Sequence, residues 1–259
     1  MSAATSDDIP ARDWHGRPIT EQSCAGCAHT TLHAQAGCEP GRSCVRDVYA
    51  RRIDRFFRTH PSLANGHLAH PYFEVRAIAA RYADLFRLGA LLADPDETVR
   101  LQVALRVPQR LLLRLCGDPH REVRIRVAQR IELARLPGLV RDPDYQVRCI
   151  VARRAPEGLL PLLMHDGDLQ VRLEVARRLP MPALWRMAGD PAPEVRRVAA
   201  ERLPASLLDA AAGDTDWTVR WEAAGRAVGR ALERLLHDAE PEVRERAMGR
   251  MRDLEPVHG

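Results

Sequence analysis

From about residue 70 onward, apolar and polar positions repeat with a fixed period of about 24 residues. The fullest copy reads Asp142-Pro143-Asp144-Tyr145-Gln146-Val147-Arg148-Cys149-Ile150-Val151-Ala152-Arg153-Arg154, and units start near 70, 94, 118, 142, 166, 190, 214 and 238. With the first residue counted as position zero, positions five, nine and thirteen are apolar; in the third unit they are Val123, Val127 and Ile131. At about 100° per residue these share one helix face. The opening Asp suits a helix N-cap, and the Pro after it suits the first helical position. Pro108, Pro156, Pro180 and Pro204, all at position fourteen, stop the helix. The stretch left before the next Asp still carries apolar side chains at helical spacing, such as Leu136, Leu139 and Val140. That is room for a short helix or a 3-10 turn, not for a second long helix. Each unit is therefore expected to be one α-helix plus one short or 3-10 helix, and units of fixed period stack into an all-α solenoid.

Position six is Arg in all eight units: Arg76, Arg100, Arg124, Arg148, Arg172, Arg196, Arg220 and Arg244. The helix angle turns it toward the packed side, where a guanidinium needs a partner. The nearest recurring acid is the opening Asp of the same or the adjacent unit, which predicts an Arg–Asp ladder. Position twelve (Arg106, Arg130, Arg154, Arg178, Arg202, Arg226 and Arg250) falls at the border of that face and is expected to reach water. The last unit carries Glu245, Arg246, Gly249 and Arg250 where inner units are more apolar, as a polar end cap should.

Upstream the pattern changes, giving three regions: a four-cysteine segment over 1–45, a helical cap or linker over 46–69 and the repeats over 70–259. Residues 1–23 are polar, with Pro10, Gly16 and Pro18, and read as loop. Val45, Val48, Ile53, Phe56 and Phe57 predict a helix over 45–58, and Pro61 stops the run. Arg51, not an apolar residue, stands one repeat period before Val75, so this helix is expected to cover the first unit without belonging to the repeat. Hydrophobic residues make up 46%, and the net charge is +4 from 39 basic and 35 acidic residues, which suits a folded chain without a strong single-sign field. No apolar run of roughly 18 residues suggests a membrane span. No apolar stretch at the N-terminus suggests secretion, so the chain is expected in the cytoplasm with its thiols reduced.

The residues that carry chemistry are Cys24, Cys27, Cys38 and Cys44, in the spacing Cys-x2-Cys-x10-Cys-x5-Cys. Four cysteines so close together in a reducing compartment point to metal rather than disulfides. Thiolates suit both zinc and iron–sulfur clusters. Only Cys24 and Cys27 form a short knuckle of the zinc type. The wider second half wraps more readily around a cubane than around one ion. Structural zinc and free or redox thiols are the alternatives. His29 and His33 stand in the same segment, but four cysteines already complete a ligand set. Cys116 and Cys149 occupy positions that are Leu, Val, Ile, Met or Ala in other units and read as small core residues.

A 24-residue D-P-x-x-x-V-R-x-x-V-A-x-R repeat preceded by a four-cysteine segment resembles the leucine-rich repeat variant (LRV) iron–sulfur proteins. The resemblance spans nearly the whole chain from Cys24. It implies a small N-terminal [4Fe–4S] domain ligated by Cys24, Cys27, Cys38 and Cys44. It also implies a right-handed solenoid of alternating α- and 3-10 helices, and a setting in nitrogen-fixing bacteria.

Three functions then compete. The first is a cluster-bearing scaffold for a protein partner, with a redox, sensing or structural cluster whose reduced form Arg17, Arg42 and Arg46 would favour. The second is a HEAT-like solenoid that binds nucleic acid, suggested by Arg46, Arg51, Arg52, Arg55 and Arg58 against Asp47 and Asp54. The third, an enzyme, finds no phosphate loop, no Ser/His/Asp grouping and no zinc-protease helix. His60, His67 and His70 read as loop and capping residues. Trp217 and Trp221 read as packing, with an exposed contact patch as the alternative.

Overall fold

The computed structural model describes residues 9–255. The loop expected over residues 1–8 lies outside them. The chain divides into two compact units, residues 1–131 and 132–259. The described residues are helical, with three isolated backbone bridges in the cysteine segment. None of the described helices is long and apolar enough to cross a membrane.

The first unit begins with two one-turn helices in the cysteine segment, α1 (Glu21–Ala25) and α2 (Thr30–Ala34). Helix α3 (Ala50–Thr59) follows, then a 3-10 segment at Pro61–His67. The repeats continue with α4 (Phe73–Tyr82), 3-10 Leu85–Leu91, α5 (Glu97–Arg106), a short α6 (Gln109–Leu112) running into a 3-10 turn, and α7 (Arg121–Arg130). The second unit opens on 3-10 Leu133–Leu139 and α8 (Tyr145–Arg154), then 3-10 Glu157–Leu163 and α9 (Leu169–Ala176). It goes on through α10 (Ala183–Arg186), α11 (Pro193–Arg202), α12 (Asp209–Ala212), α13 (Trp217–Ala224), α14 (Gly229–Leu236) and α15 (Pro241–Leu254). Most short segments are 3-10, whereas α14 is a regular helix of two turns.

The core is built as the pattern requires. Positions five and nine (Val99 and Val103, Val147 and Val151, Val171 and Val175) are fully buried, as are Val107, Ile131, Ala155 and Leu179 at position thirteen. Leu88, Leu136 and Leu160 of the 3-10 segments are also fully buried. Period and burial thus agree through the inner repeats.

The start of each repeat helix differs from the expectation. The opening Asp is not the N-cap; the helix begins at position three, and the cap is position two. Asp96, Asp144, Asp168 and Asp216 there accept N–H bonds from the first turn. The opening carboxylate is already committed. It accepts the N–H of position two, as in Asp96 N to Asp94 Oδ1 at 3.0 Å and Asp216 N to Asp214 Oδ1 at 2.8 Å. It also receives the ladder arginine of the preceding repeat.

Within the first unit Arg76 and Arg100 each fork onto the opening Asp of the next repeat, Arg76 Nε and Nη2 lying 2.8 Å from Asp94 and Arg100 Nε 2.7 Å from Asp118 Oδ2. Within the second unit Arg148, Arg172, Arg196 and Arg220 do the same with Asp166, Asp190, Asp214 and Asp238. The remaining Nη1 donates to the carbonyls that precede its own helix, as Arg100 does to Asp94 O at 2.7 Å. Burial pushes the Asp94, Asp166 and Asp214 carboxyls up. The arginine and the backbone N–H outweigh it, and each ends below the usual carboxylate value. At Asp238 the Arg220 hydrogen bond leads, with the same result.

Position twelve adds to the sequence reading. These arginines lie at the rim, half-buried or, at Arg202, exposed, and their guanidinium groups also reach back toward the preceding repeat. Arg106 Nη1 donates to Ala80 O and Ala83 O at 2.6 and 2.8 Å, and Arg178 to Ala152 O and Ala155 O at 2.6 and 2.8 Å. Arg130 bonds Ala104 and Val107, and Arg202 bonds Ala176 and Leu179. The last carbonyls of a helix have no partner within it, and a cation there also meets the favourable end of the helix dipole.

Both ends depart from expectation too. Helix α3 starts at Ala50, because Val48 N bonds Arg12 O at 2.8 Å and Tyr49 N bonds Asp47 Oδ1 at 2.8 Å, which hold residues 45–49 in a turn. With Pro61–His67, α3 follows the same helix-plus-3-10 plan as the repeats. Its Arg52 stands one repeat period before Arg76, in the ladder position. The place of the partner Asp is taken by His70, and the buried Arg52 instead bonds Asp47 at 3.1 Å and Ile9 O at 2.5 Å. At the other end α15 exposes Met248, Met251 and Leu254, so the terminal helix is not a purely polar cap.

Candidate metal centre

Cys24, Cys27, Cys38 and Cys44 line one cavity in the first unit, together with Ile19, His29, His33, Val45, Arg46 and Phe56. The space that they line amounts to about 340 Å³ only when open solvent is included, so it is narrow. Cys24 and Cys44 are buried, Cys27 and Cys38 half-buried, and all four are free thiols.

Local backbone bonds bring the four together. Cys27 N bonds Cys24 O at 3.1 Å, closing the knuckle at the end of α1. The stretch between Cys38 and Cys44 folds into a tight loop: Glu39 N and Ser43 O, and Ser43 N and Glu39 O, pair at 2.9 Å. Gly41 sits in it at φ +78, a conformation in which other residues are strained. The loop brings two cysteines that are well separated in sequence to one cavity. Gly37 packs so closely on Leu32 that a Cβ there would lie 2.4 Å from its Cδ1.

Histidines fasten this segment, a role the sequence did not reveal. His33 Nδ1 donates to Cys38 O at 3.0 Å and Nε2 to Glu21 Oε2 at 2.8 Å. Both partners accept, so they favour the protonated ring, and the Cys38 carbonyl first and then Glu21 raise its pKa. His60 Nε2 donates to Gly37 O at 2.7 Å. His67 Nδ1 donates to Leu63 O at 2.9 Å, so its Nε2 accepts from His29 Nε2 at 3.1 Å. Burial, then His67 and His60, lower the His29 pKa. These bonds tie α2 and the cysteine loop to α3 and its 3-10 segment. His70 accepts from Tyr72 N at 3.1 Å, the capping-type role expected of it.

The chemistry of the cavity suits a thiolate-bound metal group. Burial raises the Cys24 thiol, with Glu21 and Cys27 adding to the rise and Arg46 opposing it. Burial likewise raises Cys38 and pushes Cys44 up to about 11. Loading a metal must therefore displace protons. Ser43 Oγ, one residue from Cys44, is buried with no hydrogen-bond partner, a spare donor beside the sulfur set.

The arginines expected near the ligands separate. Arg17 pairs with Asp13, Arg42 with Glu39, and Arg46 alone lines the cavity, donating to Ser23 O at 2.8 Å. The basic helix is partly committed: Arg52 is buried and Arg55 donates to Arg42 O at 3.0 Å, whereas Arg51 and Arg58 are exposed. Arg51, Arg55 and Arg58 line a groove with Asp54, Glu74 and Arg81. Cys149 is a buried core residue and Cys116 a half-buried one.

Residues 11–66 match the family described as "LRV protein FeS4 cluster", and residues 73–96, 97–120 and 145–168 match the "Leucine rich repeat variant" family. A curated relative from Rhodobacter capsulatus, named "Uncharacterized 27.7 kDa protein in nifB 3'region", is 47% identical over 96 residues; the match spans 37% of this chain and 38% of that relative's length. A solved structure described as a leucine-rich repeat variant with a novel repetitive protein structural motif is 45% identical, covering 90% of this chain and 99% of that one with a TM-score of 0.84. Repeat period, helix alternation, cysteine segment and these matches agree: the chain belongs to the leucine-rich repeat variant family of FeS4-cluster repeat proteins, with an all-α solenoid fold.

Proposed function

We propose that Cys24, Cys27, Cys38 and Cys44 hold one [4Fe–4S] cluster, and that the repeats serve as a scaffold for a protein partner in the cytoplasm. The observation that carries the cluster reading is the one cavity that all four cysteines line. The match of residues 11–66 to a family described by an FeS4 cluster favours a cluster over a single zinc ion. When bound, the cluster supplies a one-electron couple. The protein's own residues bury Cys24 and Cys44, place Arg46 beside Cys24, and leave Cys27 and Cys38 at the solvent edge, where an electron could enter or leave. We read the chain as binding rather than catalysing, since the recurrent arginines and opening aspartates of the repeats are spent on holding repeats together. Nucleic acid is less well supported, because Arg52 is buried, Arg55 is hydrogen-bonded, and the groove that Arg51 and Arg58 line also holds Asp54 and Glu74.

The test is substitution of each cysteine by alanine, with anaerobic purification and iron analysis. Loss of cluster absorbance is expected in all four site variants and in neither Cys116→Ala nor Cys149→Ala. Full iron content in any of the four would remove that residue from the ligand set, and zinc in place of iron would replace the cluster with a structural ion.

A further inference from the structure

In the second unit, Trp217 and Trp221 lie one turn apart on α13 and line a groove with Pro193 and Glu194 of α11 and Glu242 of α15. Trp221 is already occupied. The Arg246 guanidinium lies over its ring, 3.5 Å from the centroid. Glu222 stands 3.8 Å from Arg246 Nη2, and Gly225 leaves the room the guanidinium fills, since a Cβ there would lie 2.6 Å from Arg246 Nε. This is an internal seat for an arginine: indole face, carboxylate and no side chain in the way. Cations favour the face of an indole over other rings.

Trp217 offers a second seat that the chain does not fill. It is 45% exposed, unusually high for the largest apolar ring. Glu194 and Glu242 flank it, both exposed and neither ion-paired among the described residues. The basic residue of the groove, Arg197, is turned to Glu222 at 3.7 Å. The third carboxylate, Asp216, accepts the N–H of Thr218 as helix cap. The groove therefore presents one uncovered indole between two unpaired carboxylates.

We propose that this groove docks an arginine side chain carried by an extended segment of a partner protein. The guanidinium would stack on Trp217 while Glu194 and Glu242 accept its N–H groups. This rests on the reading of the repeats as a scaffold and names the partner's chemistry. Exposed tryptophans flanked by complementary charge are where interface energy concentrates.

The probe is a capped pentapeptide with one central arginine, compared with the same peptide carrying citrulline, which keeps the shape and loses the charge. Indole N–H resonances of the full chain are followed by NMR, with the Trp217 signal identified from Trp217→Phe. A saturable shift of that signal is expected, at least about tenfold weaker with citrulline and after Glu242→Gln, where about tenfold corresponds to 1.4 kcal/mol. Equal response to both peptides, shifts confined to Trp14 or Trp185, or no saturable shift would overturn the proposal. A partner retained equally by the full chain and by Trp217→Phe would leave the scaffold reading standing while removing this groove from it.

Discussion

At the scale of single residues, one aspartate does three jobs in each repeat joint. Asp214 accepts Arg196 Nε at 2.7 Å, Arg196 Nη2 at 2.8 Å and the Asp216 N–H at 2.8 Å, with only 9% of its side chain exposed. Removing it leaves a mostly buried guanidinium without its counter-ion. Asp214→Ala is expected to cost about 3 kcal/mol in urea unfolding, and Arg196→Met combined with Asp214→Leu less than that single change. A single variant within about 0.5 kcal/mol of wild type would show that the pair is ornamental. The pH dependence follows in sign. The folded pKa of Asp94, Asp166 and Asp214 lies below the unfolded value of about 3.9, so their stabilisation is present above that value and lost as pH falls through the folded pKa. Acid unfolding below about pH 4 should therefore be shallower in Asp214→Ala.

At the scale of elements, the position-twelve arginines make each helix end depend on the next helix. Arg178→Met removes charged donors from Ala152 O and Ala155 O and is expected to cost about 2 kcal/mol. Arg110→Met, at an exposed position, should lie within about 0.5 kcal/mol of wild type. Equal effects would contradict the capping role. This second set of bonds was not legible in the sequence, because one helix's angles place position twelve at a rim and say nothing of the carbonyls that end the helix before it. The first ladder was legible, since an inward Arg and a recurrent Asp leave few other partners. The helix start was misread because Asp-Pro looks like a cap until the carboxylate is found committed elsewhere. In the cysteine segment the four thiols could be picked out by spacing alone. The bonds from His29 to His67 and from His60 to Gly37 join positions far apart in the chain, beyond any local pattern.

At the scale of the molecule, two kinds of structure share the chain. The repeats are held by apolar positions and paired charges, with caps and arginines satisfying the helix ends. The cysteine segment has only one-turn helices, a tight loop and histidine staples, and small segments of this kind commonly rely on metal for their folding free energy. On the proposed reading, a group held by these four cysteines would be both the chemical centre and a structural part of the N-terminal region. The most direct measurement is iron, acid-labile sulfide and zinc per chain after anaerobic purification. The account predicts about four iron and four sulfide with negligible zinc; one zinc per chain without sulfide would contradict it.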